Sequence, residues 1–257
     1  MQMDRGRDVM IVTGARVFYA GLLGARMKPR KLGGAGIYVA PSGRFRLRFG
    51  DGPWQERASA FIPPWTAHEV ASDGARIISL LIEPESVAPD ALARLARDFG
   101  EAPDQAAIAR LRAAPAAAAG RMETEDLDRL TLGRALAPRA LDKRIAAALA
   151  LIDEQGLEAP IAADDCAAAA GLSTSRFLHL FKDETGTAFR NHRAWRRARS
   201  FLHLANSEDS LTDAAFSLGY PDSSHFSRSI RKTFGLKPRS IRIGSKGLAV
   251  HAPPLPA

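Results

Sequence analysis

The sequence predicts a mixed fold: an all-β N-terminal domain, a helical linker, and an all-α C-terminal domain built on two helix-turn-helix units. Three observations carry this. Short apolar or alternating runs, punctuated by Pro/Gly turns, fill residues 8 to 85. From residue 86 the composition shifts to Ala, Arg and Leu at helical spacing. Towards the C-terminus one helix-turn-helix pattern occurs twice, at a constant offset.

In chain order, extended candidates are Val9–Val12, Ala15–Leu22, Ile37–Ala40, Arg44–Phe49, Ala58–Ile62, His68–Ala71 and Arg76–Ile82. Pro41-Ser42-Gly43, Gly50-Asp51-Gly52-Pro53, Pro63-Pro64 and Ser72-Asp73-Gly74 are the turns between them. Many short strands at close spacing indicate a small sandwich or barrel over residues 1–85. Arg44–Phe49 alternates basic and apolar residues, which gives a strand with one face of each kind.

Residues 86–138 form the helical linker. Pro89–Phe99 is helical and ends at Gly100, and Pro103–Arg112 is a second helix broken at Ala113-Ala114-Pro115. Thr124 starts a third helix, which runs towards Pro138. The apolar edge of these helices fits either a thin dimer seam or packing on the sheet of the N-terminal domain.

The C-terminal domain spans 139–245. Residues 140–155 are an amphipathic helix with Ile145, Leu149 and Ile152 buried, closed by Gly156. In the second repeat unit Thr212 caps a short helix, Gly219 ends it, and Asp222 or Ser223 caps the next. There Phe226, Ile230 and Phe234 recur every fourth residue, opposite Ser224, His225, Arg228, Arg231 and Lys232. The first unit has the same plan: Phe177, Phe181, Gly186, Arg190 and Arg193 map onto Phe226, Ile230, Gly235, Arg239 and Arg242, each 49 residues on. A single basic helix face usually means a solvated face. Two such faces on two helix-turn-helix units, joined by one helix, match two successive major-groove faces of duplex DNA. The tail from Gly244 (GSKGLAVHAPPLPA) is rich in Gly and Pro, and 246–257 is expected to be disordered.

Charge agrees with a nucleic-acid partner. The 257 residues carry a formal net charge of +8 with a pI near 10.1. Arg176 to Lys246 holds fourteen Lys/Arg against six Asp/Glu, so the remainder of the chain is neutral in sum. No apolar run of about 20 residues exists to span a bilayer, and MQMDRGRDVM lacks the apolar centre of a signal peptide. The single cysteine, Cys166, sits among alanines and reads as a core thiol. The expected location is the reducing cytoplasm, at the nucleoid.

Residues 140 to 243 resemble the DNA-binding domain of the AraC/XylS family of bacterial transcription regulators. The match is carried by Ala215–Tyr220, then Ser224, Phe226, Ser227, Arg228, Phe234, Gly235, Pro238 and Arg242. In the first unit it is carried by Gly171-Leu172-Ser173, Phe181-Lys182, Glu184-Thr185-Gly186 and Phe189, with departures at Cys166 and Ala170. FIPPWTAHEV and RIISLLIEPES resemble the small cupin-like (jelly-roll) sensor of many such regulators. The resemblance implies a DNA-binding transcription regulator, more often an activator, with double-stranded DNA and RNA polymerase as partners. A small-molecule effector and a homodimer are also part of that picture. A sensor that binds no ligand and makes only protein contacts is the alternative.

Within this reading Arg228 reads bases, since an arginine–guanine pair is the commonest specific contact. Ser223, Ser224, His225 and Ser227 flank it, and Arg231 and Lys232 hold phosphates. In the first unit Ser175, Leu178 and His179 take the base-facing positions, with Arg176 and Lys182 on phosphates. The arginines of the joining helix, Arg193, Arg196, Arg197 and Arg199, are further phosphate candidates. In the sensor, Tyr38, Arg46, Trp54, Trp65 and His68 are candidates for an anionic effector pocket; the ordinary alternative is core aromatics and a solvated strand face. A metal-holding cupin supplies several histidines and a glutamate, and only His68 is present here, so neither metal nor cofactor is expected. With one cysteine, alkyl-transfer repair chemistry is also unsupported, and the chain is not expected to be an enzyme.

Overall fold

A computed structural model describes residues 8–22, 27–154 and 161–253. The strands are β1 (Val9–Val12), β2 (Arg16–Leu22), β3 (Ala35–Val39), β4 (Phe45–Phe49), β5 (Gln55–Arg57), β6 (Ser59–Ile62), β7 (His68–Ala71), β8 (Arg76–Ile82) and, after the helices, β9 (Ala249–His251). They form a six-stranded sheet, β6-β3-β8-β2-β1-β9, and a three-stranded sheet, β5-β4-β7. All pairings are antiparallel except β1 with β9, which is parallel.

The larger sheet is covered on both faces, which explains its nearly continuous apolar strands. Side chains alternate across a strand. Val9, Ile11, Phe18, Ala20, Ile78, Leu80 and Ile82 face helices α1 (Pro89–Phe99), α2 (Gln105–Ala117) and α3 (Thr124–Leu132), meeting Leu95, Phe99, Ile108, Leu111 and Leu127. On the opposite face Tyr38, Ile62 and Ile77 pack on Phe45, Leu47 and Val70 of the small sheet. Met10, Val12, Val17 and Leu81 on that face instead meet Trp195, Leu202 and Leu248 from the C-terminal half. Each such side chain, fully buried, contributes about 1.5–3 kcal/mol. A buried ion pair adds register: Arg16 of β2 grips Asp128 of α3 through two bonds of 2.8 and 3.0 Å.

Residues 86–138 therefore share one core with the sheet. Pro115 lies inside the last turn of α2 without breaking it: its ring forgoes the bond to the Leu111 carbonyl, and the helix continues two residues to Ala117. Helix α3 stops at Gly133, whose φ of 76° ends it before Pro138.

The C-terminal half comprises α4 (Lys143–Glu154), α5 (Ala163–Ala169), α6 (Thr174–Thr185), α7 (Phe189–Ser200), α8 (Leu211–Ser217), α9 (Ser223–Phe234) and α10 (Pro238–Ser245), with a 3-10 turn at Phe201–Leu204 after α7. The expected stop at Gly156 lies outside the described residues. Two local expectations are corrected. Ser210, not Thr212, caps α8, its Oγ accepting from the Asp213 N–H at 3.0 Å. The tail is not disordered through residue 253: Leu248 is buried between the two halves and β9 extends the large sheet. Its polar, Gly-rich lead-in hid a short strand that exists only because β1 offers an open edge.

Candidate nucleic-acid interface

Each recognition helix is built from a cap, an aromatic back and an exposed front. In α9, Asp222 Oδ1 accepts from the His225 N–H at 2.7 Å, and that bond holds its carboxyl below the ordinary range. Phe226 packs edge-on against Phe201 and Tyr220 at 5.1 and 5.2 Å, and Ile230 is fully buried beside them. Ser223, Ser224, His225, Arg228, Arg231 and Lys232 are exposed, with Ser227 half-buried at the edge. In α6, Ser173 caps, and Phe177, Phe181 and Phe189 form an aromatic triad with centroids 5.2–5.7 Å apart. The small Cys166 and Ala170 leave room for that triad, and all five residues share one core. Burial raises the Cys166 thiol above its usual pKa, as suits a core group. Ser175, Arg176, Leu178, His179 and Lys182 are exposed on the front.

The joining helix α7 does not present all its arginines to solvent. Arg197 stacks over the Tyr220 ring at 5.3 Å, and Tyr220 Oη bonds Ser229 Oγ of α9 at 2.9 Å, which braces the second recognition helix. Arg196 pairs with Asp153 of α4. Arg199 is the clear correction: it is 7% exposed and cannot reach a phosphate. Its Nη2 donates to the Thr13 and Arg16 carbonyls at 2.6 and 3.0 Å, and its Nε lies 2.9 Å from Glu83 Oε1.

Glu83 and Glu85 flank Pro84 in the 3-10 turn Pro84–Ser86 after β8, and both address α7. Trp195 Nε1 donates to both Glu83 oxygens at 3.0 and 2.8 Å, and His192 Nε2 donates to Glu85 Oε1 at 2.9 Å. His192, Trp195 and Arg199 lie on one stripe of α7, given 3.6 residues per turn. Burial pushes the Glu83 carboxyl up, the Glu85 charge adds to this, and Arg199 opposes it. Burial also acts to raise Glu85, but the His192 bond leaves it net lowered. The spacing of two glutamates around a proline at a strand end was the available sequence signal for this contact.

A cavity of about 300 Å³ lies where the halves meet. Its walls are mostly apolar: Met10, Val17 and Leu81 on one side, Phe234, Leu236 and Ile241 on the other. Arg30 enters it, 7% exposed and with no acidic partner among the described residues. Arg30 Nε donates to His68 Nε2 at 3.2 Å, its guanidinium lies 5.0 Å over the Tyr38 ring, and its Nη2 has no hydrogen-bond partner. His68 Nδ1 donates to the Thr66 carbonyl at 2.8 Å, which leaves Nε2 as the acceptor for Arg30 and for Tyr38 Oη at 3.3 Å. Burial and the Arg30 charge hold the His68 pKa down at about 3.

The structure gathers only some of the sensor candidates here. Tyr38 lines the cavity and His68 supports Arg30, a residue the sequence reading missed. Trp65, partly buried, packs against the core between the halves. Arg46 and Trp54 are elsewhere: Arg46 pairs with Asp73 on the small sheet and lies 5.4 Å over the exposed Trp54 ring. That face is the solvated strand face of an alternating strand.

Comparison with known proteins agrees with this architecture. Residues 166–243 match the family model of a helix-turn-helix domain. The transcriptional activator RhaS of Escherichia fergusonii is 54% identical over 41 residues, 16% of this chain and 15% of that protein. The regulatory protein Ada of Salmonella typhimurium is 34% identical over 114 residues, 44% of this chain and 31% of that protein. The chain thus spans less than a third of either relative. An apo ToxT variant from Vibrio cholerae shares the fold over 91% of this chain and 99% of its own, with a TM-score of 0.62 at 11% identity. ToxT from Vibrio cholerae O395 bound to a methylnaphthalenyl butenoic acid aligns over 88% of this chain and 98% of its own, with a TM-score of 0.56 at 11% identity. The C-terminal half carries a helix-turn-helix domain, and an all-β domain precedes it.

Proposed function

We propose that this protein is a sequence-specific DNA-binding transcription regulator, acting in the cytoplasm at the nucleoid. The observation that carries this is the duplicated helix-turn-helix unit with its two exposed fronts. In this reading α9 sets Arg228 against base edges with Ser223, Ser224, His225 and Ser227 beside it, and Arg231 and Lys232 hold phosphates. Helix α6 offers Ser175, Leu178 and His179 to bases and Arg176 and Lys182 to phosphates. Activation through RNA polymerase is the mode that fits its relatedness to an activator. The apolar edges of α1–α3 are spent on the sheet, so a homodimer through residues 86–138 would use their polar outer faces.

The cavity supports an effector. An unpaired guanidinium in an apolar chamber is costly when empty and is satisfied by an anion. We infer an amphiphilic acid, its carboxylate on Arg30 and its apolar body between Leu81 and Phe234. The ToxT chain solved with an aryl butenoic acid has that chemistry. The test is capture of fragmented genomic DNA by the wild-type protein and by Arg228→Ala. Sharp peaks sharing one motif, lost in the variant, are expected. Diffuse binding unchanged by the substitution would sink the reading.

A further inference from the structure

We propose that the all-β domain is a splint: it grips both helix-turn-helix units at once and so sets the spacing between half-sites that the protein accepts. The inference rests on the DNA-binding reading above. The positioning residues are Glu83, Glu85 and Trp195.

On the side of the first unit, the turn Pro84–Ser86 packs on α6. Glu85 holds His192, whose ring stands edge-on to Phe181 of that helix at 5.3 Å. On the side of the second unit, the Lys28 N–H donates to the Gly235 carbonyl at 2.9 Å, immediately after α9. Gly235 has φ 73°, and an added Cβ would lie 2.3 Å from the Lys28 carbonyl oxygen, so this approach is built for glycine.

Trp195 sits between these contacts. Its N–H is on Glu83, its indole covers Gly33, where a Cβ would fall 2.4 Å from the ring, and its ring meets Phe234 of α9 at 6.2 Å. One side chain thus touches the sensor and the second unit from the helix that joins the two units. Half-site separation is a geometric property of how two recognition helices are held. A joining helix fixed to a second body at both ends holds them more narrowly than the helix alone.

The experiment is selection of DNA by the full chain from a library carrying both half-sites at every spacer length. Wild type, Glu85→Ala and Trp195→Phe are compared, the last deleting the indole N–H while keeping an aromatic ring. The expected result is unchanged base preference within each half-site. Discrimination between the best and neighbouring spacers falls about fivefold in both variants, the lower end of ordinary coupling between sites. If affinity drops equally at every spacer, or the spacer ranking stays as in wild type, the splint is wrong and these residues only stabilise. If wild type itself selects no half-site, the DNA-binding reading fails instead, and the splint with it. Thermal melting of both variants, expected to be lowered but to leave the chain folded at the temperature of the selection, separates loss of positioning from loss of fold.

Discussion

The Trp195 indole N–H sits 2.8 and 3.0 Å from the two oxygens of Glu83, across the boundary between the β-domain and the DNA-binding half. Arg199, one turn on, brings its charge to the same carboxylate, and Gly33 receives the face of the indole. Gly33→Ala forces the ring off this seat. The expected result is a loss of about 1–3 kcal/mol, the usual cost of overpacking, with faster hydrogen exchange in β1 and α7. Unchanged exchange would show that the seat is slack.

Arg16 and Asp128 are each 2% exposed at the side chain and hold α3 to β2. Asp128→Ala leaves a buried guanidinium without its acid. Chemical denaturation should show a loss of about 3–5 kcal/mol. The double change Arg16→Met with Asp128→Leu should recover most of it, because apolar groups of similar size can replace a buried pair.

Binding energetics test the proposed division between base readers and phosphate holders. Arg228→Ala should cost about 1–3 kcal/mol on the specific site and little on random DNA. Lys232→Ala should weaken both alike and reduce the slope of log K against log salt by about 0.9. Anisotropy titrations at several salt concentrations measure both.

Arg30→Leu removes a buried, unpaired cation from the cavity. The ligand-free protein should melt higher, since the desolvation penalty is gone. Medium-chain carboxylates should shift the melting of wild type, by about 2.7 kcal/mol at a hundred times their dissociation constant, and leave Arg30→Leu unmoved. Equal shifts in both proteins would place the acid elsewhere.

His68 gives a pH dependence of fixed sign. Its pKa is about 3 when folded against 6.5 for the free group. Between those values the unfolded chain binds the extra proton, so stability falls as pH drops from about 6.5 towards 3. One such group contributes a slope of about 1.4 kcal/mol per pH unit. Urea titrations from pH 7 to pH 4 should show a shallower decline in His68→Gln than in wild type.

What could be seen in the sequence was what local pattern determines. Apart from β5, the strands from Val9 to Ile82 announce themselves by apolar runs and turns, and α9 by its four-residue apolar repeat. Strand β5 could not be seen: Gln55-Glu56-Arg57 is wholly polar and is extended only because it pairs with Phe45–Leu47. The same holds for β9. Arg199 reads as one more basic residue on a basic helix, because its partner Glu83 lies more than a hundred residues away in sequence. Arg30 was hidden for the same reason, while Arg46 and Trp54, which looked suited to a ligand, are satisfied by each other and by Asp73. Burial of a charge is decided by distant neighbours, which no local pattern reports.

The parallel pairing of β9 with β1 also has a consequence for synthesis. On the ribosome β1 emerges early, finds β2 within a few residues, and then waits with one bare edge while the whole DNA-binding half is made. Until β9 arrives, that edge is a template for any other extended chain nearby. Stalled or truncated products of this chain should therefore be unusually prone to co-aggregate, and chaperone demand should concentrate on the interval between the two strands.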